Sequence, residues 1–143
     1  MTPLRFNTQA RYGMRAMICI ARRHPDPTPC EKIACEQRIS KKYLDRILGK
    51  LRSAGILKSV RGKLGGYELA RPPEEISLFD ILTVLDGYLD PVVCVMSPER
   101  CNKSAVCPAR TVWCSLADSF HGTLKGISLA SMAAKGAGEA CCS

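Results

Sequence analysis

Residues Ser40 to Ala70 read SKKYLDRILGKLRSAGILKSVRGKLGGYELA, and this stretch decides the fold. Ser40 is a good helix N-cap, because its hydroxyl oxygen can satisfy an orphan N–H of the first turn. Behind it Tyr43, Leu44, Ile47, Leu48 and Leu51 recur at helical spacing as one apolar stripe. Ala54-Gly55 closes that helix near Ser53 with a C-terminal glycine. Ile56 to Val60 and Tyr67 to Ala70 have strand character, and Gly62, Gly65 and Gly66 lie between them. That arrangement predicts a hairpin with a glycine-rich tip. A basic helix followed by such a hairpin is the second half of a winged helix-turn-helix.

The flanks complete the unit. Upstream, Ala10, Met14, Met17 and Ala21 place one apolar face on a helix from Thr8 to Arg23. Asn7 or Thr8 can cap its start. Pro25, Pro27 and Pro29 end it, since three prolines in five residues cannot continue a helix. Cys30 to Gln37 reads as a short second helix with Pro29 near its first turn. Downstream, Arg71-Pro72-Pro73 closes the unit. Ser77 opens a small helix with Asp80 three residues on, a variant of the capping box, and Gly87 stops it. Ile81, Leu82 and Leu85 are its core residues. A loop follows from Asp90 to about Ser104. A long helix is expected from Ala105 toward Gly126, with Trp113, Leu116, Phe120, Leu124 and Ile127 forming a heptad-like seam.

The expected fold is therefore mainly α with a small β-hairpin wing: a winged helix-turn-helix plus a long dimerisation helix. Residues 1–73 form the DNA-binding domain, 74–135 the cysteine loop and dimerisation helix, and 136–143 a disordered tail. The apolar seam of the long helix implies a homodimer.

Charge points to the partner. The chain carries a net +8, and Arg38 to Lys63 holds nine cations against the single acid Asp45. A solvated helix face alternates sign, whereas this block does not. Such a block attracts the phosphates of nucleic acid, so a double-stranded DNA operator is the expected ligand. Ser40, Lys41, Lys42 and Tyr43 stand at the N-terminal end of the basic helix, where base edges are reached. Arg46 is the candidate for bidentate contact with guanine. Lys41, Lys42 and Lys50 suit phosphates. In the wing Arg61 and Lys63 flank the glycine tip, and arginine suits a narrow minor groove.

The chain has nine cysteines and two histidines. No stretch approaches the roughly 18 apolar residues of a membrane span, so no membrane partner is expected. The opening residues lack the pattern of a signal peptide, so a cytoplasmic location is expected. In a reducing compartment clustered cysteines mean metal or redox chemistry more often than disulfides. Cys94, Cys101 and Cys107 are separated by gaps of six and five residues. Structural zinc favours tighter CxxC pairs, while wider gaps can wrap a larger cluster. The quieter cysteines are Cys19, a packed small hydrophobe, Cys35, of similar kind, and Cys30 and Cys114, either core or redox-active. No Ser-His-Asp set, phosphate loop or HExxH motif is present, so an enzyme is not expected.

The chain resembles the Rrf-type winged-helix transcription regulators over about residues 5 to 133. The resemblance is carried by Ala10-Arg11-Tyr12-Gly13-Met14-Arg15-Ala16-Met17, Ile39-Ser40-Lys41-Lys42-Tyr43-Leu44, Leu51-Arg52-Ser53-Ala54-Gly55 and, most specifically, Arg61-Gly62-Lys63-Leu64-Gly65-Gly66-Tyr67-Glu68-Leu69-Ala70-Arg71. It implies a homodimer with crossing long helices and a repressor-type DNA-reading lobe at each end. It also implies an iron–sulfur cluster, 2Fe-2S or 4Fe-4S, held by Cys94, Cys101 and Cys107 and modulating operator affinity in response to iron, redox or nitric oxide status. Some members supply a fourth ligand as a histidine three residues after the third cysteine, where this chain has Arg110. Others use an aspartate in the first helix, where it has Arg11. Of the arrangements the resemblance offers, a three-cysteine cluster with an exchangeable fourth position fits this chain best. The alternative within the family is a cluster-free regulator of the CymR kind, controlled by a protein partner or by thiol oxidation.

Overall fold

A computed structural model describes residues 6–87, 98–100, 102–103 and 105–135. The elements run α1 (Thr8–Arg23), α2 (Cys30–Gln37), α3 (Lys41–Ser53), β1 (Leu57–Val60), β2 (Gly66–Leu69), a 3-10 turn (Pro73–Glu75), α4 (Leu78–Asp86), a second 3-10 turn (Pro98–Arg100), α5 (Pro108–Lys125) and α6 (Leu129–Ala134). The expected mainly α fold with a hairpin wing is what the chain adopts.

The helix starts follow their caps. Asn7 accepts from the Ala10 N–H at 2.7 Å, and Ser40 from the Tyr43 N–H at 3.3 Å. Ser77 and Asp80 form a complete capping box: the Asp80 N–H donates to Ser77 Oγ at 3.1 Å, and the Ser77 N–H to Asp80 Oδ2 at 3.0 Å. Between α2 and α3, Arg38 turns the chain in the left-handed region, φ 54°. The N–H of Ile39 then reaches back to the Ala34 carbonyl at 3.0 Å, closing α2 in the manner of a Schellman motif. The buried Ile39 side chain anchors this turn in the core.

One hydrophobic core runs through the chain and crosses residue 73. Met17, Ile20, Ile33, Leu44, Ile47, Leu48 and Leu51 from α1–α3 share it with Ile76, Ile81, Leu82, Leu85, Leu124 and Leu129. α1 is its axis and packs on α2, α3, α4 and α6. The helices approach closely where Gly13 faces α3 and α4. A Cβ there would lie 2.2 Å from Leu85 Cδ1 and 3.0 Å from Ile47 Cγ2.

The wing is tied into this body. β1 and β2 pair antiparallel, Leu57 opposite Leu69 and Val60 opposite Gly66. Thr28, in the α1–α2 linker, adds a bridge to the other side of β2: its N–H donates to the Tyr67 carbonyl and its carbonyl accepts from the Tyr67 N–H, both at 2.9 Å. Gly66 makes that approach possible. Its φ is +151°, and a Cβ would meet the Thr28 carbonyl oxygen at 2.2 Å.

Three expectations need correction. The long helix begins at Pro108, not Ala105, because proline sets the first helical position and Cys107 becomes the N-cap. A sixth helix follows Gly126, capped by Ser128 and held by Arg22, which donates to the carbonyls of Ala133 and Lys135. Six residues are too few for periodicity to announce it. The seam of the long helix also divides. Leu124 is buried in the chain's own core, and Phe120 is half-buried, stacking on Phe6 at 6.3 Å. Trp113 and Leu116 remain 37% and 51% exposed.

Candidate nucleic-acid interface

α3 divides cleanly into two faces. Leu44, Ile47, Leu48 and Leu51 are fully buried, so the opposite face cannot turn inward. That face shows Lys41, Lys42, Asp45, Arg46, Lys50 and Arg52, all exposed. Ser40 spends its hydroxyl oxygen on the N-cap, leaving its O–H to donate outward. Tyr43 is half-buried, and its ring meets Tyr12 edge-on at 6.0 Å, which pins α3 to α1. Arg15 lies over the Tyr12 ring at 5.7 Å and donates to the Gln37 side chain and carbonyl, so the same cluster fixes the end of α2.

The lysines are not equivalent. Lys41 is paired with Glu31 of α2 at 2.5 Å, which raises the lysine and lowers the carboxyl from their ordinary pKa values. A phosphate reaching Lys41 must displace Glu31. Lys50 donates to Gln9 of α1 at 2.5 Å. In the wing Lys58 and Glu68 face each other across the hairpin, paired at 3.1 Å. Arg61 and Lys63 are exposed beside Leu64, which is 90% exposed at the tip.

The expected cluster ligands are only partly visible. Cys94 and Cys101 lie outside the described residues, as does the expected tail 136–143. Cys107 is a half-buried free thiol at the N-cap of α5, and its side chain makes no capping hydrogen bond. Thiolates are the soft donors that an iron–sulfur cluster uses. Cys107 thus fits a cluster as far as it is described. Cys114 is half-buried and lies about 10.5 Å further along α5, too far to share one compact cluster with Cys107. Among the described residues no group of three His, Cys, Asp or Glu could hold a metal ion.

A family model described as Rrf2, iron-dependent transcriptional regulator, matches residues 6–135. The chain belongs to the Rrf2 family of transcriptional regulators. It is 34% identical over 137 residues to the HTH-type transcriptional regulator CymR of Bacillus subtilis, covering 95% of this chain and 94% of that one. It is also 34% identical over 127 residues to the HTH-type regulator IscR of Aliivibrio salmonicida, covering 88% and 75%. Among solved structures it resembles CymR (YrzC), the global cysteine regulator of B. subtilis, with TM-score 0.76 at 34% identity, covering 91% and 96%. It resembles T. potens IscR similarly, with TM-score 0.74 at 34% identity, covering 96% and 93%. These relatives are named as transcriptional regulators, not as enzymes. Among the described residues of this Rrf2 regulator no helix is long and apolar enough to cross a membrane.

Two thiols of this Rrf2 regulator do structural work that spacing alone did not reveal. Cys19 is more than a packed small hydrophobe. Its Sγ donates to Glu36 Oε2 at 2.8 Å and accepts from Arg23 Nη1 at 2.8 Å, while Arg23 also grips Glu36. Burial, then the Glu36 hydrogen bond, push the thiol up to about 12. Burial works to raise the Glu36 carboxyl, yet the Arg23 guanidinium holds it below its ordinary value. Cys30 is buried against α3, and burial, then its hydrogen bond to Asp45, push it up to about 12. Both thiols therefore stay protonated and bind helices together. The i, i+4 spacing of Cys19 and Arg23 was the available signal, but the Glu36 partner comes from another helix.

Proposed function

We propose that this Rrf2 regulator acts in the cytoplasm as a homodimeric repressor that reads duplex DNA with Ser40, Lys41, Lys42, Tyr43, Arg46 and Lys50 of α3 and its cap, and with Arg61 and Lys63 of the wing. The observation that carries this is the two-faced α3: a fully buried apolar stripe forces the cationic face outward. Arg46 reads guanine, and Lys42 and Lys50 neutralise phosphates. Ser40 donates to the backbone, and Tyr43 positions α3 through Tyr12. The exposed Val112, Trp113 and Leu116 of α5 form the apolar surface that a second copy covers.

Cys94, Cys101 and Cys107 hold an iron–sulfur cluster in this reading, with the fourth position exchangeable. When bound, the cluster supplies a charge and a coordination state that follow iron or redox status. The chain's own part is to transmit it. Cys107 starts α5, and Leu124, about 25 Å further along that rigid helix, is buried in the core that backs α3. Fixing one end of α5 therefore bears on both the dimer surface and the DNA-reading lobe. Coupling of about 1–3 kcal/mol would alter operator affinity 5- to 150-fold.

Anaerobic reconstitution with iron and sulfide tests the sensing. Alanine at Cys94, Cys101 or Cys107 is expected to remove visible absorbance, and Cys35→Ala to keep it. Reconstitution that yields no bound iron favours the second reading, a cluster-free regulator. That reading draws its support from the near full-length match to CymR.

A further inference from the structure

Two glycines interrupt helices of the DNA-reading half, and only one is explained by the fold. Gly13 is required because a Cβ would strike Leu85 and Ile47. Gly49 lies in the middle of α3, where alanine is the better helix former. A Cβ at Gly49 would meet nothing within 4 Å. The packing of the described residues thus gives no reason for glycine there.

Gly49 instead lines an open concavity of about 660 Å³, together with Arg46, Lys50, Arg52 and Ser53 of α3, Ala54 just after it and Val84 of α4. Among the described residues this lining carries three cations and no carboxylate. Lys50 is oriented by Gln9, so its charge is held beside the hollow. Val84 supplies an apolar wall. A bare backbone in the lining of a cationic hollow suits a tetrahedral anion that must come close.

We propose that the hollow over Gly49 seats a phosphodiester of the DNA backbone, with Arg52 and Ser53 as additional phosphate contacts beyond the reading end of α3. The inference rests on the DNA-binding reading above and deepens it. Gly49 sits seven residues, two helical turns, beyond Lys42 and one turn beyond Arg46, so it shares their outward face. Strands entering along that face reach the hollow after the reading end. The seat positions the helix on the duplex and reads no base.

A mixed-sequence duplex of 30 base pairs is the probe, since backbone contacts do not depend on sequence. Fluorescence anisotropy over a range of salt gives Kd and the salt slope for wild type, Gly49→Ala, Gly49→Gln and Arg52→Ala, with melting temperature measured alongside. Gly49→Ala is expected to melt at the same temperature as wild type or higher, yet bind more weakly. Gly49→Gln, which fills the hollow, is expected to weaken binding at least tenfold. Arg52→Ala is expected to lower the salt slope by about one. Gly49→Gln that folds and binds as wild type overturns the seat. Wild type that binds no duplex at low salt overturns the DNA-binding reading itself, a separate outcome.

Discussion

α3 and α5 are both amphipathic, and the chain treats their apolar faces oppositely. α3 hides Leu44, Ile47, Leu48 and Leu51 completely and turns cations to solvent. α5 buries Ala117 and Leu124 but leaves Val112, Trp113 and Leu116 exposed. The apolar face of the first helix is fully covered by the chain's own fold. The second leaves part of its apolar face uncovered by the described residues, the face assigned above to the proposed dimer. An amphipathic pattern thus says that a face is covered, and only the fold says by what.

The largest expected effect separates the two faces by stability. Leu48→Ala should cost about 2–5 kcal/mol in urea unfolding, because a buried leucine leaves a cavity. Leu116→Ala should cost less, and its cost should grow with protein concentration, since in the proposed homodimer it acts through the interface. A Leu116→Ala loss independent of concentration would place that side chain in the monomer core and break the comparison.

Next comes assembly. Leu116→Glu should give monomers by sedimentation velocity at micromolar concentration while retaining the helical circular dichroism of wild type. Phe120→Glu is the poorer probe, because Phe120 packs against Phe6 and the core. A Leu116→Glu dimer as tight as wild type moves the interface elsewhere.

On the cationic face, Arg46→Ala should cost about 1–3 kcal/mol on a specific site and relax base preference. Lys41→Ala should cost less, because Glu31 already occupies that lysine. Equal losses from both, on specific and random duplexes alike, would assign Arg46 to phosphates.

Two smaller effects concern the buried polar groups. Thr28 is fully buried, and its Oγ1 has no hydrogen-bond partner among the described residues. Thr28→Val should therefore stabilise by about 1 kcal/mol, read from the urea midpoint, and a loss would reveal a partner for the hydroxyl. Cys19 and Cys30, raised from 9.0 to about 12, should resist thiol reagents at pH 8 while the exposed Cys35 reacts. Their neutral thiols favour the folded state below pH 9, and that contribution is lost as pH rises toward 12. Labelling of Cys19 as fast as Cys35 would mean that the Glu36–Arg23 network opens readily.

Most of the fold was legible because local signals agreed with it. Thr8–Arg23, Cys30–Gln37 and the Ser40 cap stand where periodicity, proline and capping chemistry put them. Legibility failed where a residue's role depends on a distant partner. Phe120 and Leu124 continue the spacing of Trp113 and Leu116, and only packing against Phe6 and the core divides them. Gly66 read as one residue of a glycine-rich tip, whereas the Thr28 backbone is what excludes a side chain there. In the candidate site, the cationic face was legible from charge density. The pairing of Lys41 with Glu31, and of Cys30 with Asp45, was not, because α2 supplies one member of each.

The bridge between Thr28 and Tyr67 makes the wing a cantilever clamped at its root. Its four-residue strands extend about 13 Å, so a tilt of about 10° at the clamp moves the tip about 2 Å by the same geometry. Compliance is then concentrated in the turn at 61–65, and the aim of Arg61 is set by backbone joinery in the α1–α2 linker. The reach of the wing is thus tuned from a residue on a different segment from the one that carries its cations, and a change at Thr28 or Gly66 re-aims the arm without altering any of them.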